Sequence, residues 1–393
     1  MDYVTMIDTY VKEHRADMLA SYETIVNMED HFLEKGNVEA VREWVCQQFE
    51  QEGFRCWTHE VCDDRAGILV GMLGEDRPGK PVLFSGHLDT VFHAGTFAGP
   101  KPFRVDGNTV YGPGVQDMKG GVIIALYVVK ALRAIGWQER PLKILFVGEE
   151  ESDHIGNHAD DFITEQSRDI LCAFHMEGGN MHNDLCTGRK SLMTCHVQVT
   201  GVGGHAGIDF RTGKNAINEM VYKLYEIIDL TDLGQGTTVT PSTIKGGVTV
   251  CGIPETCEAT IDFRIDSRAE RSRIITELDR ILSHCSIVGT HTTYHLNEAR
   301  FQPYAETAAI SALHRQLCDA ALALGLPPFG KEHSGGAADS GNIARAGVPV
   351  LCCCGVMGEL SHSLQEYAVL SSLYDRTKVL ALAIAQMNDD KSS

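Results

Sequence analysis

Short apolar runs that alternate with helical segments constrain the fold of this chain more than any other feature of its sequence. Runs typical of buried strands occur at Pro81–Ser85, Lys143–Val147, Leu171–Phe174 and Val348–Cys354. Between and before them lie segments with the apolar spacing of helices, including residues 3–27, residues 37–53 and the largely apolar Val122–Ile135. This alternation predicts an α/β fold with a mainly parallel sheet.

The pattern changes between about residues 190 and 297. Strand, helix, strand, strand, helix and strand patterns follow one another at Ser191–Thr200, Asn215–Leu230, Thr237–Ile244, Glu258–Asp266, Ala269–Ser286 and Gly289–Leu296. This βαββαβ order is typical of a ferredoxin-like α+β domain with a core of its own. We therefore predict that residues 190–297 form an inserted domain, and that residues 1–189 together with 298–393 form the α/β domain.

Charge and composition exclude several classes of partner. The formal net charge of -19 would repel both nucleic acid and anionic membranes. The N-terminal segment lacks the basic and apolar regions of a signal peptide, and no run of about 18 apolar residues predicts a membrane span. We therefore expect a cytoplasmic protein with no nucleic-acid or membrane partner. The 13 cysteines form no C-x-x-C pair, so their spacing supports neither a cysteine-bound zinc ion nor a thiol nucleophile.

Acidic and imidazole side chains follow the predicted strands or lie in the glycine-rich segments between them. They are His87, Asp89, Asp117, Glu149, Glu150, Glu151, Glu177 and His362. Ligands of open α/β sheets bind at the carboxyl ends of the strands. Carboxylates and imidazoles gathered there suit two zinc-like divalent ions that share one carboxylate and lower the pKa of a bound water toward about 7. A solvated acidic loop is the alternative interpretation of the three successive glutamates.

Nine motifs occur in order between about residues 70 and 370. They are GHLDTV, GPGVQDMKGG, GEEES, HMEGG, GVGGHAG with GKNAI, GG-x₃-CGIP, IDFR, GGAADSGN and SHSLQEY. In these motifs the chain resembles the dinuclear zinc amidohydrolases, the family of glutamate carboxypeptidase, acetylornithine deacetylase, succinyl-diaminopimelate desuccinylase and aminoacylase. The resemblance implies that one Zn²⁺ is bound by His87, Asp117 and Glu177, and the other by Asp117, Glu151 and His362. Co²⁺ and Mn²⁺ are alternative ions for such an oxygen-rich site.

The resemblance also implies roles for the neighbouring acids. Members of the family carry an acidic pair in which the first glutamate is the general base and the second is a metal ligand. We align Glu150 with the base and Glu151 with the ligand, and Glu149 is the alternative base if the alignment shifts by one residue. Asp89 lies two residues beyond His87 and points the same way along a strand, so we expect its carboxylate to accept the imidazole N–H.

Residues of the inserted domain complete the implied site. His205 corresponds to a histidine that reaches the zinc pair of the partner subunit and binds substrate or the tetrahedral oxyanion, which implies a homodimer formed through this dimerisation or lid domain. Asn215 and Arg264 match positions that contact substrate. A guanidinium can bind a carboxylate through two parallel hydrogen bonds, although a structural ion pair is the alternative for Arg264. Gly335 and Gly336 are expected to shape a loop that lines the cleft.

The function implied is metal-dependent hydrolysis of an amide or peptide bond beside an amino-acid carboxylate, in small peptides or N-acyl amino acids. Glu177 at the third position of the first metal site resembles the carboxypeptidase and deacylase branches, which favours a glutamate-carboxypeptidase-like activity. Cys251 replaces a family asparagine and cannot donate an amide hydrogen bond to the substrate carboxylate. The alternatives are an N-acyl amino acid deacylase of the acetylornithine or succinyl-diaminopimelate type, and a metal-binding module without catalytic activity.

Overall fold

The computed structural model describes residues 2–97, 99, 102–297 and 301–387. The chain divides into two compact units. The first unit contains the residues up to Gly188, Glu306–His333 and the residues from Asn342 onward, and the second contains Arg189–Ala305 and Ser334–Gly341.

The second unit is larger than the inserted domain predicted at residues 190–297. Residues 301–305 and 334–341, which the sequence placed in the α/β domain, belong to it instead. The reason is a set of backbone hydrogen bonds between distant segments. Arg189 and Tyr304 exchange two such bonds of 2.9 and 3.0 Å, and Lys190 N–H donates to the carbonyl of Ser334 over 3.0 Å. Contacts between residues so far apart in the sequence leave no local pattern by which they could be predicted.

The helices and strands are numbered in chain order. The helices are α1 (Tyr3–Glu13), α2 (Arg15–Val26), α3 (Lys35–Gln51), α4 (Gly120–Ala134), α5 (Ala159–Gln166), α6 (Ala216–Ile228), α7 (Arg268–Ser283), α8 (Ala308–Ala323), α9 (Ser340–Arg345) and α10 (Leu370–Ala385). The strands are β1 (Arg55–His59), β2 (Ala66–Leu73), β3 (Val82–His87), β4 (Arg104–Asp106), β5 (Thr109–Tyr111), β6 (Leu142–Gly148), β7 (Cys172–His175), β8 (Asp184–Arg189), β9 (Ser191–Thr200), β10 (Gly204–His205), β11 (Thr238–Gly246), β12 (Gly252–Ile253), β13 (Thr256–Ile265), β14 (His291–Asn297), β15 (Gly330–Ser334), β16 (Val350–Leu351), β17 (Gly358–Glu359) and β18 (Tyr367–Val369).

A six-stranded mixed sheet forms the centre of the first unit, with the order β1-β2-β6-β3-β7-β16. The neighbours β6, β3, β7 and β16 are parallel, whereas β1 and β2 run antiparallel at one side. Every residue of β3 and β6 is buried, as is usual for strands covered on both faces. In register, His87 lies opposite Val147 and Ser85 lies opposite His175, so the carboxyl ends of β6, β3 and β7 meet at one edge.

Helix α4 is buried over almost its whole length and packs against α1, α2 and α10. It approaches the sheet closely through Gly121, where a Cβ atom would lie 1.9 Å from the carbonyl oxygen of Met176. Only glycine fits at position 121, because the atom that a Cβ would meet belongs to the backbone. None of the helices in the described part of the chain has the length and apolar character needed to cross a membrane.

Two predicted elements of the first unit are shorter than the sequence suggested. The helical pattern over residues 3–27 forms two helices, α1 and α2, which are separated at His14. The apolar run Val348–Cys354 forms a two-residue strand at Val350–Leu351, followed by a single antiparallel bridge between Cys352 and Cys186. Cys353 has a φ of 60°, in the left-handed region, which ends the extended backbone of the run.

The second unit contains a four-stranded antiparallel sheet with the order β11-β13-β9-β14. If the short strands β10 and β12 are set aside, α6 follows β9 and α7 follows β13, so the order of elements is βαββαβ, as in ferredoxin-like domains. The residues of β9 alternate between buried and accessible, and the buried set packs with the apolar faces of α6 and α7 into a core of its own. A separate two-stranded pair, β10 and β12, places His205 opposite Gly252.

Candidate active site

The carboxyl ends of three parallel strands bring the first group of predicted site residues together. His87 is the last residue of β3, which lies between β6 and β7. The turn Glu149–Glu151 follows β6 directly, and Glu177 lies two residues beyond the end of β7. The side chains that follow these neighbouring strands therefore converge at the edge where open α/β sheets bind their ligands.

Asp117 reaches the same place from the segment between β5 and α4. Gly114 has a φ of 68°, a conformation that glycine adopts without a Cβ penalty. Asp117 itself has a non-helical backbone, and the Asp117–Met118 peptide bond is cis. His362 lies in the loop between β17 and β18, and β18 pairs with β5 in a small sheet. The pairing of β18 with β5 brings this loop beside the Asp117 segment.

Five side chains form two triads that share Asp117. In the first, Nε2 of His87 lies 3.1 Å from Oδ1 of Asp117 and 3.6 Å from Oε1 of Glu177. In the second, Nε2 of His362 lies 3.3 Å from Oδ2 of Asp117 and 3.1 Å from Oε1 of Glu151. Within each triad the potential ligand atoms lie within 4.8 Å of one another. The two carboxylate oxygens of Asp117 thus face different histidines.

The charges of this cluster require compensation by positive charge. Burial raises the pKa of Asp117, but hydrogen bonds with His362 and His87 outweigh burial and hold that pKa well below its ordinary range. Hydrogen bonds with Asp117 and Glu151 raise the pKa of His362 to about 11. Burial raises the pKa of Glu151 to about 7, although its hydrogen bond with His362 opposes the rise. Burial lowers the pKa of His87, but contacts with Asp117 and Asp89 outweigh burial and raise that pKa above its ordinary range, so both imidazoles favour the protonated form.

The donor set fits divalent metal ions. In the part of the chain that the structure describes, no lysine or arginine lies within 4.0 Å of Asp117, Glu151 or Glu177. Carboxylate oxygens and imidazole nitrogens are ligands of zinc and similar ions, and metal binding displaces the protons that such ligands hold. Cations can therefore supply the positive charge that the protons of the two histidines supply here.

The three successive glutamates have different surroundings. Glu149 is fully buried, and its carboxylate accepts hydrogen bonds from Ser152 Oγ over 2.6 Å and Asn157 Nδ2 over 2.9 Å, and also contacts His154. Glu151 belongs to the second triad. The carboxylate of Glu150 lies within 4.8 Å of potential ligand atoms of His87 and Glu151. Glu149 is thus held by structural contacts, and Glu150 faces the cluster.

The contact that the sequence predicted between the Asp89 carboxylate and His87 is present but long. Nδ1 of His87 lies 3.0 Å from the backbone carbonyl of Asp89, whereas the nearest carboxylate oxygen of Asp89 is 3.5 Å away. The carboxylate also accepts the backbone N–H groups of Glu150 and Glu151 over 3.2 and 3.0 Å. The turn after β6 offers two N–H groups at short range, and these lie closer to the carboxylate oxygens than the imidazole does.

Sequence reasoning missed Glu366. This residue is 2% exposed, and its carboxylate accepts backbone N–H groups from the segment that carries Asp117. Its position four residues after His362 in SHSLQEY was the only available signal. His175, which the sequence left unassigned, is buried under the cluster, with Nδ1 bonded to Ser85 Oγ over 2.8 Å.

The other predicted site residues belong to the second unit. His205 is exposed in β10, and its Nδ1 lies 3.2 Å from the N–H of Gly207 and 3.3 Å from that of Ile208. A nitrogen that accepts hydrogen bonds carries no proton, so the neutral ring holds its proton on Nε2. The backbone N–H of His205 donates to the Asp209 carboxylate over 2.7 Å, which fixes the turn. His205 therefore presents a hydrogen-bond donor.

Asn215 and Arg264 both have structural partners. Oδ1 of Asn215 caps α6 by accepting the N–H of Asn218 over 3.0 Å. Arg264 pairs with Asp262 through Nε over 3.2 Å, and its Nη1 lies 3.5 Å from the carbonyl oxygen of Gly335.

The loop that follows β15 belongs to the second unit as well. Besides the contact of Gly335 with Arg264, Gly336 accepts a hydrogen bond from Arg189 over 3.1 Å. Cys251 is exposed, and its carbonyl oxygen accepts the N–H of Ala206 over 2.8 Å. Cys251 is therefore next to the His205 strand.

Known proteins share both the sequence pattern and the fold. The family described as Peptidase family M20/M25/M40 matches residues 83–386. Carboxypeptidase G2 of Pseudomonas sp. (strain RS-16) is 25% identical over 386 residues, which is 95% of this chain and 90% of that protein. Succinyl-diaminopimelate desuccinylase 2 of Ruegeria sp. (strain TM1040) is 27% identical over 255 residues, covering 58% of this chain and 61% of that protein.

The solved structures extend the similarity to the fold as a whole. An M20 family metallo-carboxypeptidase from Sulfolobus solfataricus superposes with a TM-score of 0.76 at 14% sequence identity. The superposition covers 94% of this chain and 98% of that one. Because the family pattern spans most of the chain and the fold agrees, this protein is a member of the M20/M25/M40 family of peptidases.

Proposed function

We propose that this protein is a metal-dependent hydrolase that cleaves an amide or peptide bond beside an amino-acid carboxylate, with glutamate-carboxypeptidase-like activity. The observation that carries the proposal is the pair of triads that share Asp117, with ligand atoms within 4.8 Å of one another in each. The similarity to a carboxypeptidase over 95% of the chain supports the same reaction class.

The proposed metal centre holds two divalent ions, Zn²⁺ or alternatively Co²⁺ or Mn²⁺. His87, Asp117 and Glu177 would hold one ion, and Asp117, Glu151 and His362 the other. When bound, such a pair polarises a carbonyl oxygen and lowers the pKa of water. The side chains of the protein supply the remaining steps of the reaction.

Glu150 is the proposed general base. Its carboxylate lies beside His87 and Glu151, and its backbone N–H is fixed by Asp89. Glu149, the alternative, is occupied by Ser152, His154 and Asn157. The Glu150 carboxylate takes a proton from the attacking water and then gives it to the leaving nitrogen of the cleaved amide.

His205 is the proposed donor to the carbonyl oxygen. Because its Nδ1 accepts two backbone hydrogen bonds, the Nε2–H group is available to donate. A donor aimed at an oxygen that gains negative charge stabilises the transition state more than the ground state. We further propose that His205 acts in the site of the partner subunit in a homodimer, as the family resemblance implies.

Recognition of the substrate carboxylate is assigned to Arg264, with Asn215 as a second contact and with Gly335 and Gly336 shaping the loop around it. Arg264 uses Nε for Asp262 and Nη1 for Gly335, so Nη2 is the nitrogen best placed to bind a carboxylate. Asn215 uses Oδ1 as a helix cap, which leaves its NH₂ group as the donor.

The proposed homodimer forms through the second unit. Helix α6 exposes four large apolar side chains at positions that share one helix face: Val221, Tyr222, Tyr225 and Ile228. Strand β11 lies at the edge of its sheet. An exposed apolar helix face beside an open sheet edge is typical of a protein–protein interface.

A deacylase of N-acyl amino acids is the second candidate. Its support is the similarity to succinyl-diaminopimelate desuccinylase 2 over 58% of the chain. Both candidates would use the same metal chemistry. They differ in the groups on the two sides of the amide bond that is cleaved. A metal-binding module without turnover is the alternative from another class.

The test is a hydrolysis assay on metal-free protein and on protein loaded with Zn²⁺, Co²⁺ or Mn²⁺. The substrates are N-acyl-glutamates, N-acyl-ornithines, N-succinyl-diaminopimelate and dipeptides, each compared with the same compound carrying a C-terminal amide. We expect metal-dependent cleavage of acyl-glutamates or dipeptides and little cleavage of the amides. Cleavage of acyl-ornithine or succinyl-diaminopimelate alone would identify the deacylase, and metal-loaded protein with no turnover would favour the binding module.

A further inference from the structure

The carboxylate of Glu366 is bonded to the segment that carries Asp117. Its Oε2 accepts the N–H of Gly114 over 3.0 Å. Its Oε1 accepts the N–H of Gln116 over 2.7 Å and that of Asp117 over 3.0 Å. One side chain thus accepts three of the four N–H groups between Gly114 and Asp117, although it lies about 250 residues away in the sequence.

The segment depends on these bonds because the helical turn at Val115–Lys119 is distorted, with non-helical backbone angles at Asp117 and Met118. Gly114 and Gln116 are buried, and a buried N–H without an acceptor costs about 1–3 kcal/mol. The carbonyl of Val115 accepts from the Tyr22 hydroxyl, which holds the other side of the backbone. Glu366 and Tyr22 therefore both hold the backbone of this segment, and one of the Glu366 bonds is made with the N–H of Asp117 itself.

The loop that carries Glu366 also carries His362, the histidine of the second triad. Glu366 lies four residues after His362, and its N–H closes the turn by donating to the carbonyl of Ser363 over 3.1 Å. Ser361, on the other side of His362, bonds to the side chain of Gln116. A single loop therefore supplies one member of the second triad and fixes the backbone of the residue that both triads share.

The charge of Glu366 also favours cations nearby. Among the described residues no lysine or arginine lies within 4.0 Å of its carboxylate, which is 2% exposed and beside Asp117. The hydrogen bonds that this carboxylate accepts from the segment come from backbone N–H groups. Positive ions bound to Asp117 would reduce the repulsion between the two carboxylates.

We propose that Glu366 is a positioning residue of the metal centre. It fixes the Gly114–Asp117 backbone so that one carboxylate oxygen of Asp117 faces His87 and the other faces His362. This inference rests on the proposed two-metal site and adds to it an acidic residue that binds no metal itself. Substitution of a group that orients metal ligands in this way typically lowers metal affinity or activity by about 10–100-fold.

The test compares Glu366→Gln with the matched control Glu359→Gln. Glu359 lies on the same hairpin but is exposed, and its carboxylate accepts a hydrogen bond from the Tyr367 hydroxyl, so its substitution removes a carboxylate without removing a bond to the Asp117 segment. In Glu366→Gln, the new NH₂ group faces an N–H of the segment and cannot accept its hydrogen bond. Each protein is freed of metal and titrated with Co²⁺, and the visible absorption spectrum, the dissociation constant and the melting temperature are recorded.

We expect Glu366→Gln to weaken Co²⁺ binding by about 10–100-fold and to change the absorption spectrum, because Asp117 loses its orientation. Glu359→Gln should match the wild type in both. A purely structural role would lower the melting temperature of the metal-free protein without changing affinity or spectrum, and that result would overturn the proposal. If Glu366→Gln does not fold, Glu366→Asp, which keeps the charge on a shorter side chain, gives the same readouts and should also weaken binding.

The proposed metal centre and the proposed role of Glu366 can be overturned separately. A wild-type protein that binds no Co²⁺ would overturn the metal centre, and with it the role of Glu366. A wild type that binds Co²⁺ normally, with Glu366→Gln indistinguishable from it, would overturn the role of Glu366 alone. Neither readout requires a known substrate.

Discussion

The carboxylate of Asp89 accepts the backbone N–H of Glu151 over 3.0 Å. Its other oxygen accepts the N–H of Glu150 over 3.2 Å. Asp89 is 1% exposed, and it lies two residues after His87 at the end of β3. One aspartate therefore joins the end of one strand to the turn that follows its parallel neighbour, and it fixes two glutamates through their backbone rather than through their side chains.

Asp89→Asn is expected to reduce metal affinity or turnover by about 10–100-fold. The amide keeps one acceptor oxygen but turns an NH₂ group toward one of the two N–H donors, so the turn carrying Glu150 and Glu151 must shift. The check is metal affinity by titration together with kcat on a substrate found in the panel. Unchanged values for both would show that the two hydrogen bonds do not set the geometry of the turn.

Glu150→Gln is expected to keep its metal and its melting temperature but to lose about 10²–10⁴-fold in kcat, because only the proton-transferring group is removed. Glu149→Gln serves as the comparison. It should lose about 3–5 kcal/mol of unfolding free energy, since it breaks a buried charged network with His154 and Asn157. If Glu149→Gln instead remained stable and lost turnover while Glu150→Gln stayed active, the assignment of the base would be reversed.

Local signals account for the parts of the site that the sequence predicted. His87, Glu151 and Glu177 each follow an apolar run, and the runs at β3, β6 and β7 are parallel neighbours. Strand β9 occurs at Ser191–Thr200, where its alternation of apolar and polar residues placed it. The sheet sets the position of a side chain that directly follows a strand. The place of such a side chain can therefore be inferred without knowledge of the distant contacts.

Contacts between distant segments account for what the sequence did not reveal. The carboxylate of Glu366 meets the N–H of Asp117 across 249 residues. The segment 334–341 joins the second unit through bonds such as that between Lys190 and Ser334. The bonds of the Asp89 carboxylate with the N–H groups of Glu150 and Glu151 depend on the geometry of the turn after β6, which no local pattern in the sequence revealed.

His205→Ala is expected to lower kcat by about 10²–10³-fold without changing metal content, as for the loss of one donor to a developing oxyanion. His205→Gln restores an N–H donor at a similar distance and should recover part of the rate. The measurements are kcat, KM and the metal-to-protein ratio of each variant. A His205→Ala protein with full activity would remove this residue from the site.

Tyr225→Glu is expected to convert the proposed dimer to a monomer. Tyr225 is 78% exposed on α6, and an interface tyrosine of this kind contributes at least about 2 kcal/mol, or roughly 30-fold in Kd. Light scattering after size-exclusion chromatography gives the mass of each form. Leu322→Glu on α8 is the control, because it adds the same charge at an exposed apolar position of the first unit. A wild type that is already monomeric would contradict the proposed assembly.

The last prediction concerns Lys143, which lies in the buried strand β6. Its Nζ donates to the carbonyl and the side-chain oxygen of Gln166 over 2.6 and 2.9 Å. No carboxylate lies within 4.0 Å of it in the described ranges of the chain. Burial lowers the pKa of Lys143 from 10.5 to about 8. The folded protein therefore releases this proton at a lower pH than the unfolded chain does.

Because the folded pKa is depressed, the contribution of Lys143 to stability is fully present above about pH 10.5 and is lost as the pH falls through about 8. Lys143→Met removes this dependence, so the wild type should gain about 3 kcal/mol of unfolding free energy relative to the variant between pH 7.5 and 10.5. Denaturant unfolding of the metal-free proteins across this range measures the difference, with the exposed Lys80→Met as control. A difference between wild type and Lys143→Met that stays constant with pH would show that Lys143 is solvated in the folded state.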